Sequence, residues 1–326
     1  MKTITALAAA ITLSLLLNNP IHAASDADPF LGRWALHLPG GAGWLEVKQE
    51  SDHLDASILW YGGSVVPVSS VYVHQGKLYI NRVRSAEFGD RTLQIVAQLE
   101  IEVNGDQLIG KLINPKKDGS GAGTTLFHGN KIADLPAKPN LANISYAKPV
   151  KLFNGKDLTG WEVMGTNQNG WKVEKGILIN DPANHDIRYA NIKTTEKYED
   201  FNLTLQVNIP EGSNSGVYLR GIYEVQVVDS YGKEVDSHNM GALYSRVTPA
   251  SANEKKAGEW QEMDITLYKR HLTVKLNGKT IIDNHPVYGV TGGAMTADEF
   301  SPGPIYLQGD HGKVLYKDMV LKPIID

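Results

Sequence analysis

The chain has 326 residues and a formal net charge of −4, so it lacks the basic footprint of a nucleic-acid binder and the like-charge runs of a membrane-surface protein. It contains no cysteine, which excludes disulfides, a lipidated N-terminal Cys, a thiol nucleophile and any Cys-based metal site. With 42% hydrophobic residues, burial alone can sustain the fold.

The N-terminus reads as an export signal spanning residues 1–24. Lys2 gives a positive start, Ile4 to Leu17 an apolar stretch, and Ile21-His22-Ala23-Ala24 a small-residue cleavage site. Asn18-Asn19-Pro20 ends the apolar stretch too early for a spanning helix. Export without cysteine points to a bacterial periplasm or secretion, with no membrane attachment after cleavage. The roughly 300 residues that remain suggest two domains.

Residues 25–132 form the first. Short alternating segments, from Trp34–Leu38 through Gln107–Ile113, are separated by Gly40-Gly41, Gly62-Gly63 and Asn104-Gly105-Asp106. That pattern predicts a small β-sandwich or barrel, one sheet curling on itself. Pro136, Pro139 and Pro149 punctuate residues 133–148, which read as an extended, semi-rigid linker. A spacer of that kind implies few contacts across it, so residues 149–326 are expected to fold and act alone. Those residues show about a dozen further strands and almost no helical periodicity. Ile281 to Phe300, with glycines at 289, 292 and 293, reads as a rim loop.

Two segments of the second domain carry chemistry. In Tyr223–Val228, period-two alternation sets Tyr223, Val225 and Val227 on one face and Glu224 and Gln226 on the other. Val217 and Leu219 oppose Tyr218 and Arg220 in the same way, with Asn214-Ser215-Gly216 read mainly as a tight turn. Near the C-terminus, Tyr306 and Gln308 alternate with Ile305 and Leu307 before the turn Gly309-Asp310-His311-Gly312. A cross-strand ion pair between Glu224 and Arg220 would account for part of the same pattern without any function. There is no nucleophile elbow, P-loop, dinucleotide fingerprint or His-Glu-x-x-His.

Residues 149–326 resemble the 3-keto-disaccharide hydrolases, also described as 3-keto-glucoside 1,2-lyase/hydratases. The resemblance rests on Phe153-Asn154-Gly155-Lys156-Asp157-Leu158-Thr159-Gly160-Trp161, Asn214-Ser215-Gly216-Val217-Tyr218-Leu219-Arg220 and Tyr223-Glu224-Val225-Gln226-Val227-Val228-Asp229. Gly241-Ala242-Leu243-Tyr244, Gly258-Glu259-Trp260 and Gly303-Pro304-Ile305-Tyr306-Leu307-Gln308 with His311-Gly312 extend it. It implies an all-β, concanavalin-like jelly-roll sandwich with a concave sugar-binding face.

The resemblance also implies a reaction on 3-keto-glycosides: deprotonation at C2, elimination at C1 and hydration, a net hydrolysis. By residue type, His311 or Glu224 would be the base. Arg220, or a divalent metal held by Glu224, Asp229 and His311, would polarise the enolate. Asn214, Gln226, Tyr244 and Gln308 would position the substrate. Asp229 has the parity to join Glu224 only if the strand ends or bulges at Val228. The other reading is a non-catalytic carbohydrate-binding jelly roll, with Trp161, Trp171 and Trp260 as a stacking platform. The grouping of Glu, Arg, Asp and His favours the enzyme, because a lectin needs no acid–base pair.

Overall fold

A computed structural model describes residues 25–182 and 187–325. The expected export signal lies outside the described residues. Among the described residues, no helix is long and apolar enough to cross a membrane.

Gly32–Leu38 to Ala122–Lys131 build one nine-stranded antiparallel sheet. Its edges are Val66–Pro67 and Ser70–His74, which are almost consecutive in sequence. Between them Val68 donates to Ala56 O (3.0 Å) and Ser69 to Asn81 O (2.9 Å), so the connecting residues tie the two edges together. This curled sheet wraps its own core of Trp34, Leu36, Leu45, Ile58, Leu78, Ile80 and Leu99. Alternation decides which side chains enter it: Ala97, Leu99 and Ile101 are buried, whereas Val96 stands outside.

The second unit is an all-β sandwich of the jelly-roll type. One sheet centres on Val314–Ile325 and Phe201–Asn208, and the other contains five strands in the order Trp161–Val163, Ile192–Thr194, Tyr306–Leu307, Asn214–Leu219, Tyr223–Val228. Their apolar faces meet in a core that includes Leu203, Leu205, Val217, Leu219, Val225, Val227 and Leu321. The predicted alternation is realised here. Tyr223, Val225 and Val227 are fully buried in the sandwich, and Glu224 and Gln226 turn to the opposite face of the five-stranded sheet. Asn214-Ser215-Gly216 is not a turn. It opens the Asn214–Leu219 strand, with Asn214 opposite Val228 and Gly216 opposite Gln226.

Residues 133–148 are not a free spacer. Ser145–Tyr146 pairs with Ile324 and Ile325, and Asn284 Nδ2 donates to Pro139 O (2.8 Å). The two units also share a core: Ala35, Ala42, Trp44, Leu59 and Ile132 of the first sheet join the sandwich interior. Arg246 stacks over Trp44 at 4.4 Å and Arg33 over Tyr288 at 4.2 Å. The expected sparse contact between units is therefore replaced by a packed interface. Prolines in the connecting chain report its local stiffness; they carry no information about what the flanking surfaces bury.

Candidate active site

The outward face of the five-stranded sheet floors a cleft of about 630 Å³, within the roughly 300–1,000 Å³ typical of ligand sites. Asn214 and Tyr218, Glu224 and Gln226, and Tyr306 and Gln308 line it from three neighbouring strands. Arg188, Asn191, Tyr244, Asp310 and His311 enter from the flanking loops.

Glu224 is its more buried carboxyl group, with 3% of its surface exposed. Burial pushes its carboxyl up to about 8, the Tyr218 hydroxyl restrains that rise, and the nearby Asp310 carboxylate adds to it. Tyr218 faces Glu224 across the hairpin, its hydroxyl 2.8 Å from Oε2. In the orientation that gives both ends of its amide a partner, Gln226 donates to Glu224 Oε1 (3.3 Å) and Ser215 O (3.0 Å). A Cβ on Gly216 would overlap the Glu224 carboxyl, so this glycine is needed for space on the neighbouring strand. Tyr306 stacks on Tyr218 with ring centres 4.1 Å apart and takes a hydrogen bond from Asn191 Nδ2 (3.0 Å).

Beside this floor, Asp310 Oδ1 and His311 Nδ1 are 2.7 Å apart. The carboxylate raises the imidazole above its ordinary pKa, while desolvation and the nearby Arg188 hold it back. The turn that presents the pair is clamped from behind. Asn180 Nδ2 donates to both Gly309 O and Gly312 O at 2.8 Å, and Gly309 N donates to Asn191 Oδ1 at 2.7 Å. Gly309 lies against Ala190 O and the Trp171 indole, with no room for a side chain.

Of the residues singled out from sequence, Glu224, His311, Asn214, Gln226, Tyr244 and Gln308 line this one cleft. Two do not. Arg220 falls just beyond the strand, at φ +54°, where alternation no longer applies. Its guanidinium turns away to donate to Glu299 O (2.8 Å) and Ser301 O (2.6 Å), pinning a loop. Asp229 follows the end of Tyr223–Val228, and its carboxylate accepts from Gly212 N (3.0 Å) at a turn.

The metal set of Glu224, Asp229 and His311 is consequently not assembled. Among the described residues, no three His, Asp or Glu side chains are grouped to hold a metal ion. The tryptophan platform does not form either. Trp161 and Trp171 are buried with their indole N–H groups on Leu152 O and Ala190 O, and Trp260 lies under the Lys317 ammonium.

Sequence reasoning missed Arg188, Asn191 and Asn180, which lie in segments without a decisive period. Tyr218 and Tyr306 fall on the polar faces that alternation predicts, and Asp310 in the turn before His311, without roles of their own.

A family model described as the 3-keto-alpha-glucoside-1,2-lyase-like domain matches residues 148–322. A 3-keto-disaccharide hydrolase from Bacteroides thetaiotaomicron is 23% identical over 174 residues, covering 42% of this chain and 58% of the relative. The chain thus spans less than two thirds of that relative's length. Among solved structures, a chain from Parabacteroides distasonis, named only provisionally as a glycosyl hydrolase, gives a TM-score of 0.46 at 24% identity. That match covers 59% of this chain and 94% of the other. A carbohydrate-binding module from Bacillus subtilis gives 0.33 at 12% identity over 49% of this chain and 93% of the module. With its match running over residues 148–322, more than half of its length, the chain belongs to the 3-keto-alpha-glucoside-1,2-lyase-like family.

Proposed function

We propose that the chain is an exported carbohydrate-active enzyme that cleaves 3-keto-glycosides by elimination and hydration. The observation that carries the reading is the pairing, in one cleft, of a buried carboxylic acid with a carboxylate-held imidazole. Burial favours the protonated form of Glu224, and Asp310 holds His311 through Nδ1, an arrangement that would leave Nε2 to accept a proton. A binding module has no use for either arrangement.

The C3 ketone acidifies the C2 hydrogen. The His311 imidazole takes that proton, the C2–H electrons form the C1=C2 bond, and the C1–O bond breaks. Glu224 gives its proton to the departing oxygen. Negative charge developing on the C3 oxygen faces the Arg188 guanidinium, the cationic side chain beside His311 in the cleft. Water then adds at C1 and yields its proton to Glu224, while the imidazolium returns a proton to C2. Both residues are restored, and the sum is hydrolysis. Asn214, Gln226, Tyr244 and Gln308 supply hydrogen bonds to the sugar hydroxyls. Ordinary glycosidases instead flank the anomeric carbon with two carboxyl groups about 5–9.5 Å apart.

The test is incubation with a 3-keto-glucoside and with its unoxidised parent in deuterated buffer, with and without chelator. Cleavage of the keto substrate alone, with deuterium at C2 of the product, is expected. Cleavage of the plain glucoside without exchange at C2 would refute the mechanism, and ligand binding without turnover would make the chain a sugar-binding module.

A further inference from the structure

The cleft is not built by the sandwich alone. Gly40, Gly62 and Gly63, all from the first sheet, form part of its lining beside Glu224 and Tyr218. The segment carrying two of them is fastened to the sandwich at both ends. On one side Gly293 N donates to Tyr61 O (3.1 Å), and Gly292 packs so tightly on the Gly63 backbone that a Cβ there would overlap Gly63 O. On the other side Val65 N donates to Ser245 Oγ (3.0 Å), and Ser64 Oγ lies 2.9 Å from His238 Nε2. Both anchor points belong to the cleft's own walls. The Gly292 carbonyl meets the Tyr218 hydroxyl at 2.7 Å, and the His238 ring packs edge-on against Tyr244 at 5.0 Å.

We propose that the Tyr61–Ser64 turn of the first sheet is a wall of the substrate site and selects the group attached at C1. The inference rests on reading the cleft as a 3-keto-glycoside site. A single keto-ring set over Glu224 and His311 leaves much of the cleft's 630 Å³ unfilled, and the only part of such a substrate beyond the ring is the departing sugar or aglycone. Gly62 and Gly63 offer that group bare peptide: a flat surface with N–H and C=O groups and no side chain to limit its width. Gly62 has open space where a Cβ would project, and its backbone conformation suits any residue. Without the first sheet the cleft would lose this wall together with the support of the Gly292 carbonyl.

Because the chain contains no cysteine, Gly62→Cys in the full chain creates a unique thiol. Its maleimide labelling would be timed alone, with a 3-keto-disaccharide, and with 3-keto methyl glucoside. Ser51→Cys, in a distant exposed turn, serves as the labelled control. The disaccharide should slow labelling of the position-62 thiol, and the methyl glucoside should not. A bulky label at position 62 should lower kcat/KM for the disaccharide by ~10²-fold, the scale of a misplacement of roughly 1 Å, and spare the methyl glucoside. Unchanged labelling in the presence of bound disaccharide, or equal turnover of both substrates after labelling, overturns the inference. A wild-type chain that binds keto-glycosides without cleaving them defeats the enzymatic reading alone, and the protection measurement then decides this one. Failure to bind any keto-glycoside overturns both.

Discussion

The Tyr218 hydroxyl reaches both Glu224 Oε2, at 2.8 Å, and the Gly292 carbonyl oxygen, at 2.7 Å, with a single hydrogen to give. A carbonyl can only accept. With the tyrosine proton on Gly292, the short contact to Glu224 is satisfied only when the carboxyl itself donates. The geometry therefore agrees with the direction in which burial moves the carboxyl, toward its protonated form.

A bell-shaped pH profile follows for kcat/KM. Activity rises as the His311 imidazole, held above its ordinary pKa by Asp310, loses its proton and becomes a base. It falls again as Glu224 ionises, at about 8. When Glu224 ionises, the Tyr218 hydroxyl hydrogen can turn from Gly292 O to the carboxylate; replacing Tyr218 by Phe removes that donor, so the alkaline limb should move to higher pH while the maximum drops. Rate profiles of the two proteins between pH 5 and pH 10 check this; an alkaline limb that moves downward would contradict it.

Glu224→Gln should lower turnover by ~10²-fold or more, the usual contribution of a general acid, and should stabilise the fold at alkaline pH. The sign follows from linkage. The carboxyl titrates near its ordinary value of 4.5 when unfolded and at about 8 when folded. Between those limits the folded chain holds the extra proton, so wild-type stability declines as pH rises through that window. Gln has no such dependence. Melting temperatures of the two proteins at pH 5, 7 and 9 should therefore diverge progressively in favour of the variant.

The two arginines should separate cleanly. Arg188→Gln removes the cation of the cleft and should reduce kcat by ~10²-fold or more, the scale of a lost charge-stabilising donor, with little change in melting temperature. Arg220→Gln instead breaks a buried hydrogen bond to Glu299 O and a partly buried one to Ser301 O, costing up to about 1.5–3 kcal/mol each when the donor is charged. It should melt earlier and keep its pH limbs. Kinetics and calorimetry on both variants would expose any exchange of these roles.

Gly216→Ala tests the space reserved for the carboxyl. The added methyl overlaps the Glu224 side chain, and overpacking of this kind costs about 1–3 kcal/mol. Turnover should collapse and the alkaline limb should shift, because Glu224 can no longer meet Tyr218. An active variant with an unchanged limb would show that the carboxyl tolerates displacement.

Alternation within Tyr223–Val228 was enough to put Glu224 and Gln226 on one face and the core on the other, because a strand's period is a property of its own backbone. The same rule placed Tyr306 and Gln308 correctly on the adjoining strand. It failed at Arg220, one residue past a strand end, and correctly kept Asp229 off the Glu224 face. Arg220 adopts a left-handed turn conformation and leaves the face, and Asp229 caps the turn at Gly212. Strand ends are set by partners elsewhere in the chain, which the local pattern does not record. Arg188 and Asn180 carry no period at all; they matter because the turn at Gly309–Gly312, more than a hundred residues away, packs beside them. The glycines of the Tyr61–Ser64 turn read as simple punctuation in sequence. Only tertiary packing decides that their bare backbone faces a cleft whose acid and base lie on the other unit.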